Sequence, residues 1–473
     1  MAILQRRKLL FLRNRNEGRL RIPSPAKWKL AAVLLVAALT LGISCVQPER
    51  RKPQVYRQQA VPTGSLTVFF TGDTLGSLKP CGCSGGQLGG FERRGAVLNT
   101  VPRQGRLVVD TGSLVRGEGD QDLIKYTIIL QALRQLNYDV VSLSRRDIEI
   151  GRNLGELDGA DLGFSVIGSG AGTDTNMPAR FTKKLSLQGT AVPVTVAALD
   201  TESGSIEKVR ELFAPQTDAM ALNILVVSRC DQGIADSVAT MAPSVDCIIC
   251  PSESDEPIII SPPDKRPLVF SPGRFGRHVC KLKATTSGNR KPFKLSLEVI
   301  RVSEDLPKDA AMVSLYKDYQ QFVKDGNLLE KHLRVALPNG LEYVGSASCK
   351  PCHDSEYEKW SGTGHAHAYA TLEQVGSQFD PECVVCHAVG LDYESGFISL
   401  EKTGDLKGVG CENCHGPGSE HTISGGKVKT AEPKSACIHC HNPEQSGEYA
   451  GNEEAFLQKI IHWTEPKAGD HVK

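Results

Sequence analysis

Gly408-Val-Gly-Cys411-Glu-Asn-Cys414-His415-Gly-Pro-Gly-Ser-Glu-His421 is the stretch on which the reading of the last quarter of the chain turns. It holds two cysteines three positions apart, a histidine directly after the second, and almost nothing apolar to bury. The same spacing recurs as Cys349-Lys-Pro-Cys352-His353, Cys383-Val-Val-Cys386-His387 and Cys437-Ile-His-Cys440-His441. With 15 Cys and 12 His in 473 residues, chance supplies only about 0.01 such motifs. The spacing suits haem: two thiols add to the two vinyl groups while the adjacent His reaches the iron from the proximal side. Zinc knuckles are the competing reading, but zinc does not require a His after every second Cys. Four c-type haems are therefore expected, attached at Cys349, Cys352, Cys383, Cys386, Cys411, Cys414, Cys437 and Cys440, with His353, His387, His415 and His441 on the irons.

The sixth position of each iron decides between electron transfer and small-molecule chemistry. Candidate distal ligands are His365, His367, His421 and His462. Residues two apart on a helix point about 200° away from each other, so His365 and His367 should not serve the same haem. His439 cannot easily reach the iron of its own motif, His332 and His471 are weaker candidates, and His278 belongs to the preceding domain.

Outward from these motifs the texture changes. Residues 341–473 hold ten Lys, no Arg and twenty Asp/Glu, a balance of −10 that argues against nucleic acid and for a redox partner protein basic at its docking face. The other end is basic: residues 1–30 carry nine Lys/Arg against the single acid Glu17. A charge-free run of fourteen residues, 31–44 (AAVLLVAALTLGIS), follows. It is short for a spanning helix and suits a signal sequence. Gly42-Ile43-Ser44-Cys45 is similar to a bacterial lipobox, so residues 1–45 are expected to be a lipoprotein signal with Cys45 as the lipid anchor. An uncleaved helix anchor or plain cleavage are the other outcomes. Either way the protein is expected outside the cytoplasm and, with an anchor, at a membrane. Residues 46–64, polar and with three prolines, form a tether.

Between the tether and the motifs, short apolar runs at 65–70, 106–109, 140–143, 192–198, 224–227, 247–249 and 268–270 predict strands, and 121–136 shows helical periodicity. This alternation makes residues 65–305 an α/β domain. Residues 306–340 look like connecting helix, and 341–473 form the haem domain, which has too few apolar residues to build a core from side chains alone.

Two resemblances sharpen this. YVGSASCKPCH at 343–353, WSGTGHAHAYATL at 360–372, FDPECVVCHAVG at 379–390 and GVGCENCHGPGSEH at 408–421 resemble the multihaem family typified by the tetrahaem electron acceptor of hydroxylamine oxidoreductase. The resemblance implies mostly bis-His haems packed for rapid transfer, one iron five-coordinate, and His365 and His421 as leading distal ligands.

Residues 65–303 resemble exported metallophosphatases of the 5'-nucleotidase type, through TGDTLGSL from Thr71, GGFERRGAVL from Gly89, LVVDTGSLVRG from Leu107, LNYDVVSLSRRDIEIG from Leu136 and SPGRFGRHVCKL from Ser271. That family holds two metals through DxH, GD, GNH followed by an acid, and later His residues. Here Asp73 remains, but Leu75 stands at the His, Ser113 at the bridging Asp, and Ser144-Arg145-Arg146 before Asp147 at the GNH. The later His positions read Arg229 or Cys230 and the 251–254 stretch. One carboxylate cannot hold two divalent metals, so no dinuclear metal is expected. Arg145 and Arg146 are expected to be solvated or ion-paired, with anion binding as the other reading. Cys81, Cys83, Cys230, Cys247, Cys250 and Cys280 form disulfides in an oxidising compartment, or Cys81, Cys83, Cys230 and Cys250 converge as a thiolate site.

The expected fold is thus an α/β layered metallophosphatase-like sandwich followed by a mostly helical, haem-packed multihaem cytochrome c domain. Extracytoplasmic electron transfer needs only what the motifs supply. A redox enzyme acting on a small nitrogen or sulfur compound at a five-coordinate haem is the alternative. A metallophosphoesterase is the second alternative, and it conflicts with the lost ligands.

Overall fold

The computed structural model describes residues 64–80, 85–157, 161–168, 177–202, 206–213, 220–286, 291–433, 436–442 and 445–462, all within one compact unit, Pro62–Lys473. The expectations on the signal, Cys45 and tether residues 46–63 lie outside the described residues, as do those on Cys81, Cys83 and His471.

Twelve strands are described: β1 (Leu66–Thr71), β2 (Arg106–Asp110), β3 (Val140–Leu143), β4 (Ser165–Gly168), β5 (Arg180–Leu187), β6 (Thr190–Leu199), β7 (Leu222–Val227), β8 (Cys247–Ile249), β9 (Ile258–Ser261), β10 (Leu268–Ser271), β11 (His278–Thr285) and β12 (Lys294–Arg301). They form two six-stranded sheets, ordered β12-β11-β1-β2-β3-β4 and β5-β6-β7-β8-β10-β9. The centre of each is parallel: β1 through β4 in one, and β6, β7, β8 and β10 in the other. Antiparallel strands close the remaining edges, β11 and β12 at one end of the first sheet and β5 and β9 at the ends of the second.

The sheets stack face to face. Val68, Phe70, Leu107, Val109 and Val140 of one meet Val194, Val196, Ile224, Ile249 and Phe270 of the other in a single apolar cluster, and the Phe70 and Phe270 rings meet edge to face at 5.5 Å. Alternate residues such as Phe69 and Val108 point to the opposite face yet are also fully buried. Both faces of the sheet are therefore covered, which is why β1 and β2 are apolar throughout instead of alternating. Helices between strands supply that cover: α1 (Phe91–Leu98), α2 (Asp120–Gln135), α3 (Arg145–Asn153), α4 (Lys208–Phe213) and α5 (Gln232–Met241). Val209 and Phe213 of α4 and Ala235 and Val238 of α5 pack on the outer face of the second sheet.

The segment 306–340 holds one long helix, α6 (Ala310–Asp325), and the single turn α7 (Leu328–Lys331). Asp309 starts α6 by accepting from Ala311 N and Met312 N. Its buried stripe, Met312, Leu315, Tyr319 and Val323, repeats at the three-four spacing of an amphipathic helix.

Beyond it lie only short helices: α8 (Asp354–Ser361), α9 (Ala368–Val375), α10 (Pro381–His387), α11 (Leu400–Thr403), α12 (Cys411–His415), α13 (Ser419–Ile423), α14 (Cys437–Cys440) and α15 (Glu453–Gln458). One small apolar cluster, around Tyr369, Val384, Val389 and Phe397, serves this region. After Leu406 no described apolar side chain is buried. Among the described residues no helix is long and apolar enough to cross a membrane.

Candidate functional site

Each Cys-x-x-Cys-His motif is held in a tight turn or short helix. In the first, Cys352 N and His353 N both donate to Cys349 O. In the second, Asp380 caps α10 by accepting from Glu382 N at 3.0 Å, and Pro381 opens the helix, where its missing N–H costs nothing. In the third, Asn413 Oδ1 accepts from Gly410 N at 2.7 Å while its Nδ2 donates to Ala388 O, tying the third motif to the second. Buried Glu412, inside the third motif, accepts from Val344 N, Gly345 N and Gly418 N. That carboxylate lashes the approach to the first motif onto the third.

The histidines are arranged in facing pairs. His353 and His421 have ring centroids 6.1 Å apart, as do His415 with His462 and His365 with His441. A metal about 2 Å from a nitrogen of each ring would separate the centroids by roughly 6 Å, so each pair is spaced for one iron between two imidazoles. Backbone carbonyls only accept, so the ring nitrogens facing them must carry the proton. His387 Nδ1 donates to Ala368 O at 2.6 Å, His421 Nδ1 to Val428 O at 2.7 Å and His462 Nδ1 to Ile460 O at 2.9 Å. In the neutral ring that arrangement puts the lone pair at Nε2, the tautomer a metal ligand needs. Burial holds His365, His387, His415 and His441 below the usual imidazole range, which keeps them neutral.

The thiols order the motifs. Cys349 lies beside Cys411 and Cys386 beside Cys440, and Cys437 is near Cys414. The first motif thus adjoins the third, the third the fourth, and the fourth the second. Around them Val385, Ile423, Val428 and Ile438 are exposed at 38 to 86 %. A module with only one small apolar cluster of its own, apolar side chains turned outward beside its cysteines, and paired imidazoles fits haem at these positions.

Other expected residues fall elsewhere. His367 is exposed at the start of α9 and belongs to none of the three pairs, whereas His365 does. His332 Nε2 meets Asp392 at 2.7 Å, and buried His278 faces Glu256 at 3.1 Å. Cys230 and Cys250 are joined as a disulfide, so the reading that had both as thiolate ligands is corrected: strands β7 and β8 end side by side and bring the two sulfurs together. Cys247 and Cys280 are buried in the sheet core, where burial pushes their thiols up.

A hold on the second motif escaped the sequence. Tyr319 of α6 donates to Asp380 at 2.8 Å and Gln121 of α2 at 2.7 Å, while Lys125 of α2 sits 2.5 Å from both oxygens of Glu382. The one local signal for it is the Asp-Pro pair at 380–381, a helix-start pattern. Its partners lie some 60 and 260 residues away along the chain.

The α/β domain gathers a second cluster at the carboxyl ends of its parallel strands, where open α/β sheets bind ligands. Asp73, Leu75 and Ser113 all have positive φ, 45°, 50° and 56°, in two loops locked by Asp73 N to Gly112 O and Leu75 N to Ser113 O. Asp73 accepts from Ser252 N at 3.1 Å, and burial raises its carboxyl from 3.8 to about 6. Asp147 is saturated, taking Ser113 N, Leu114 N, Ser144 N and the Ser144 hydroxyl. Asp110 takes the Thr71 hydroxyl and Gly112 N. Among the described residues no three His, Cys, Asp or Glu side chains converge as a metal ion requires. These donors do not fit a dinuclear centre. Arg145 pairs with Asp200 at 3.2 Å.

Residues 348–416 match the family model described as cytochrome c554 and c-prime. Cytochrome c-554 of Nitrosomonas europaea is 31 % identical over a match covering 19 % of this chain and 46 % of that protein, so the chain spans about half the length of that relative. Among solved structures, a putative 5'-nucleotidase from Staphylococcus aureus is similar with TM-score 0.42 and 14 % identity, covering 66 % of each chain. The sulfate thiohydrolase SoxB of Thermus thermophilus is similar with TM-score 0.43 and 13 % identity, covering 59 % of this chain and 63 % of that one. The C-terminal part of the chain is thus similar to c-type cytochromes over residues 348–416.

Proposed function

We propose that this chain is an extracytoplasmic electron carrier with four c-type haems, held at a membrane through its N-terminal segment and built on an α/β domain without phosphoesterase activity. Bound haem supplies one-electron exchange at iron. The chain's own part is to hold, orient and order those groups. The observation that carries this reading is the set of three facing imidazole pairs, each with ring centroids 6.1 Å apart. Two strong-field nitrogen ligands close an iron to substrate and suit electron transfer. The contacts among the cysteines support a series running first, third, fourth, second motif.

The α/β domain serves as a scaffold in this reading. α2 and α6 grip the residues before the second motif through Gln121, Lys125 and Tyr319, and Gln320 of α6 donates to Val375 O and to the Ser377 hydroxyl. The excess of acid over base in residues 341–473 favours a basic redox protein as partner and disfavours nucleic acid. The basic start and Cys45 support a lipoprotein anchor. Stopped-flow reoxidation of the reduced full-length protein by a basic monohaem cytochrome tests the reading. Second-order exchange that slows as salt rises supports it. Exchange no faster with a basic than with an acidic acceptor contradicts it.

A further inference from the structure

The imidazoles of the haem region do not all meet the same kind of acceptor. His387, His421 and His462 each donate Nδ1 to a backbone carbonyl, at 2.6, 2.7 and 2.9 Å. In the fourth motif the group facing Nδ1 of His441 is a side-chain hydroxyl, Ser446 Oγ, at 3.1 Å. Ser446 is 5 % exposed and is fixed by its backbone, whose N–H donates to Asn442 O at 2.8 Å and whose carbonyl accepts from Tyr449 N at 3.0 Å. The same turn brings the Tyr449 ring against the imidazole, with centroids 5.0 Å apart and planes 23° from parallel. Phe456 meets both rings edge to face, 5.4 Å from His441 and 5.3 Å from Tyr449. Packed against those two rings, the imidazole keeps Nδ1 on the hydroxyl.

A hydroxyl can donate or accept. With Nε2 on a metal, Nδ1 carries the proton, and Ser446 Oγ must accept from it. A group that accepts from the outer ring nitrogen makes the imidazole a stronger base toward iron and so favours the ferric state. Resting on the reading of His441 as an iron ligand, we propose that Ser446 is the positioning residue that sets the potential of the fourth haem, its hydroxyl holding that potential below the value an unpartnered imidazole would give. A neutral hydroxyl at 3.1 Å pulls on the proton less than the carbonyl at 2.6 Å that faces His387, and a side chain, unlike a carbonyl, can be exchanged for a stronger or weaker acceptor. The fourth motif adjoins both the third and the second, so its potential bears on passage between them.

The test is a potentiometric titration of the full-length haem-loaded protein followed by electron paramagnetic resonance. Ser446→Ala should raise the midpoint of one couple, changing its reduced-to-oxidised ratio about tenfold at a given potential, which is about 59 mV for one electron. Ser446→Asp, a stronger acceptor of similar reach, should lower the same couple, and Ser446→Thr, which keeps the hydroxyl, should leave it in place. The low-spin signal that moves should be the one that His365→Ala abolishes, and the other three couples should stay where they are. A role in packing alone gives no such opposite shifts. Midpoints that neither Ser446→Ala nor Ser446→Asp moves overturn the proposal, as does a Thr variant that behaves like the Ala variant, or a shift shared by all four couples. Failure of that kind in a protein that still titrates as four couples leaves the electron-transfer reading intact, whereas a wild-type protein with fewer than four couples overturns both.

Discussion

Lys125 of the α/β domain closes on Glu382, the residue before Cys383, with Nζ 2.5 Å from both carboxylate oxygens. The lysine side chain is 7 % exposed and the glutamate 58 %. Water therefore screens one end of the pair, and its own contribution is small. The rigid member of the contact is Asp380, which takes Tyr319, Gln121 and the α10 backbone at once.

Asp380→Ala should destabilise the full chain by about 2–4 kcal/mol, since it removes a helix cap and strands two buried donors. Glu382→Gln should cost less than about 1 kcal/mol. Denaturant unfolding followed by circular dichroism checks both. Equal effects would contradict the ranking.

Asp73 gives a pH dependence with a definite sign. Its folded carboxyl is raised from 3.8 to about 6, so the folded state binds its proton more tightly than the unfolded chain does. Stability is lost as pH rises from about 4 to about 6, and the deficit, about 3 kcal/mol, is complete above that window. Asp73→Asn should remove this component, so the difference in unfolding free energy between wild type and variant should grow across that window and stay flat above it. A constant difference would refute the assignment.

The three imidazole pairs predict selective spectra. His421→Ala, His365→Ala and His462→Ala should each convert one low-spin haem to a form that binds carbon monoxide, and His367→Ala should convert none. Electron paramagnetic resonance of the four variants checks this, and a high-spin signal from His367→Ala would show that the pairing around His441 is wrong.

The loops at Asp73, Ser113 and Asp147 lack donors for two metals, so p-nitrophenyl phosphodiester or 5'-nucleotide hydrolysis with added manganese should stay at background. Turnover that Asp73→Ala abolishes would overturn the inactive-scaffold reading.

Much of the α/β core was legible because its strands are buried on both faces. The runs at 140–143 and 247–249 coincide with β3 and β8. Strand β5 was not legible: its Lys183 and Lys184 interrupt the apolar run, and only alternate residues turn inward. β12 was hidden likewise, because Leu295, Leu297 and Val299 alternate with polar residues. At the haem site the motifs spoke for themselves, since covalent chemistry fixes their spacing. The pairings did not. His353 meets His421 and His441 meets His365 only after the chain has folded back on itself, and nothing local to His365 separates it from His367. The disulfide between Cys230 and Cys250 depends in the same way on β7 lying beside β8.

The central claim is four haems on one chain, and intact-mass spectrometry of the full-length protein, expressed in a host that exports and matures c-type cytochromes, tests it most directly. The account predicts a polypeptide carrying four covalent haem additions, each lost when the two cysteines of its motif are replaced by alanine. A matured chain with three or fewer additions, or with bound zinc in their place, would contradict it.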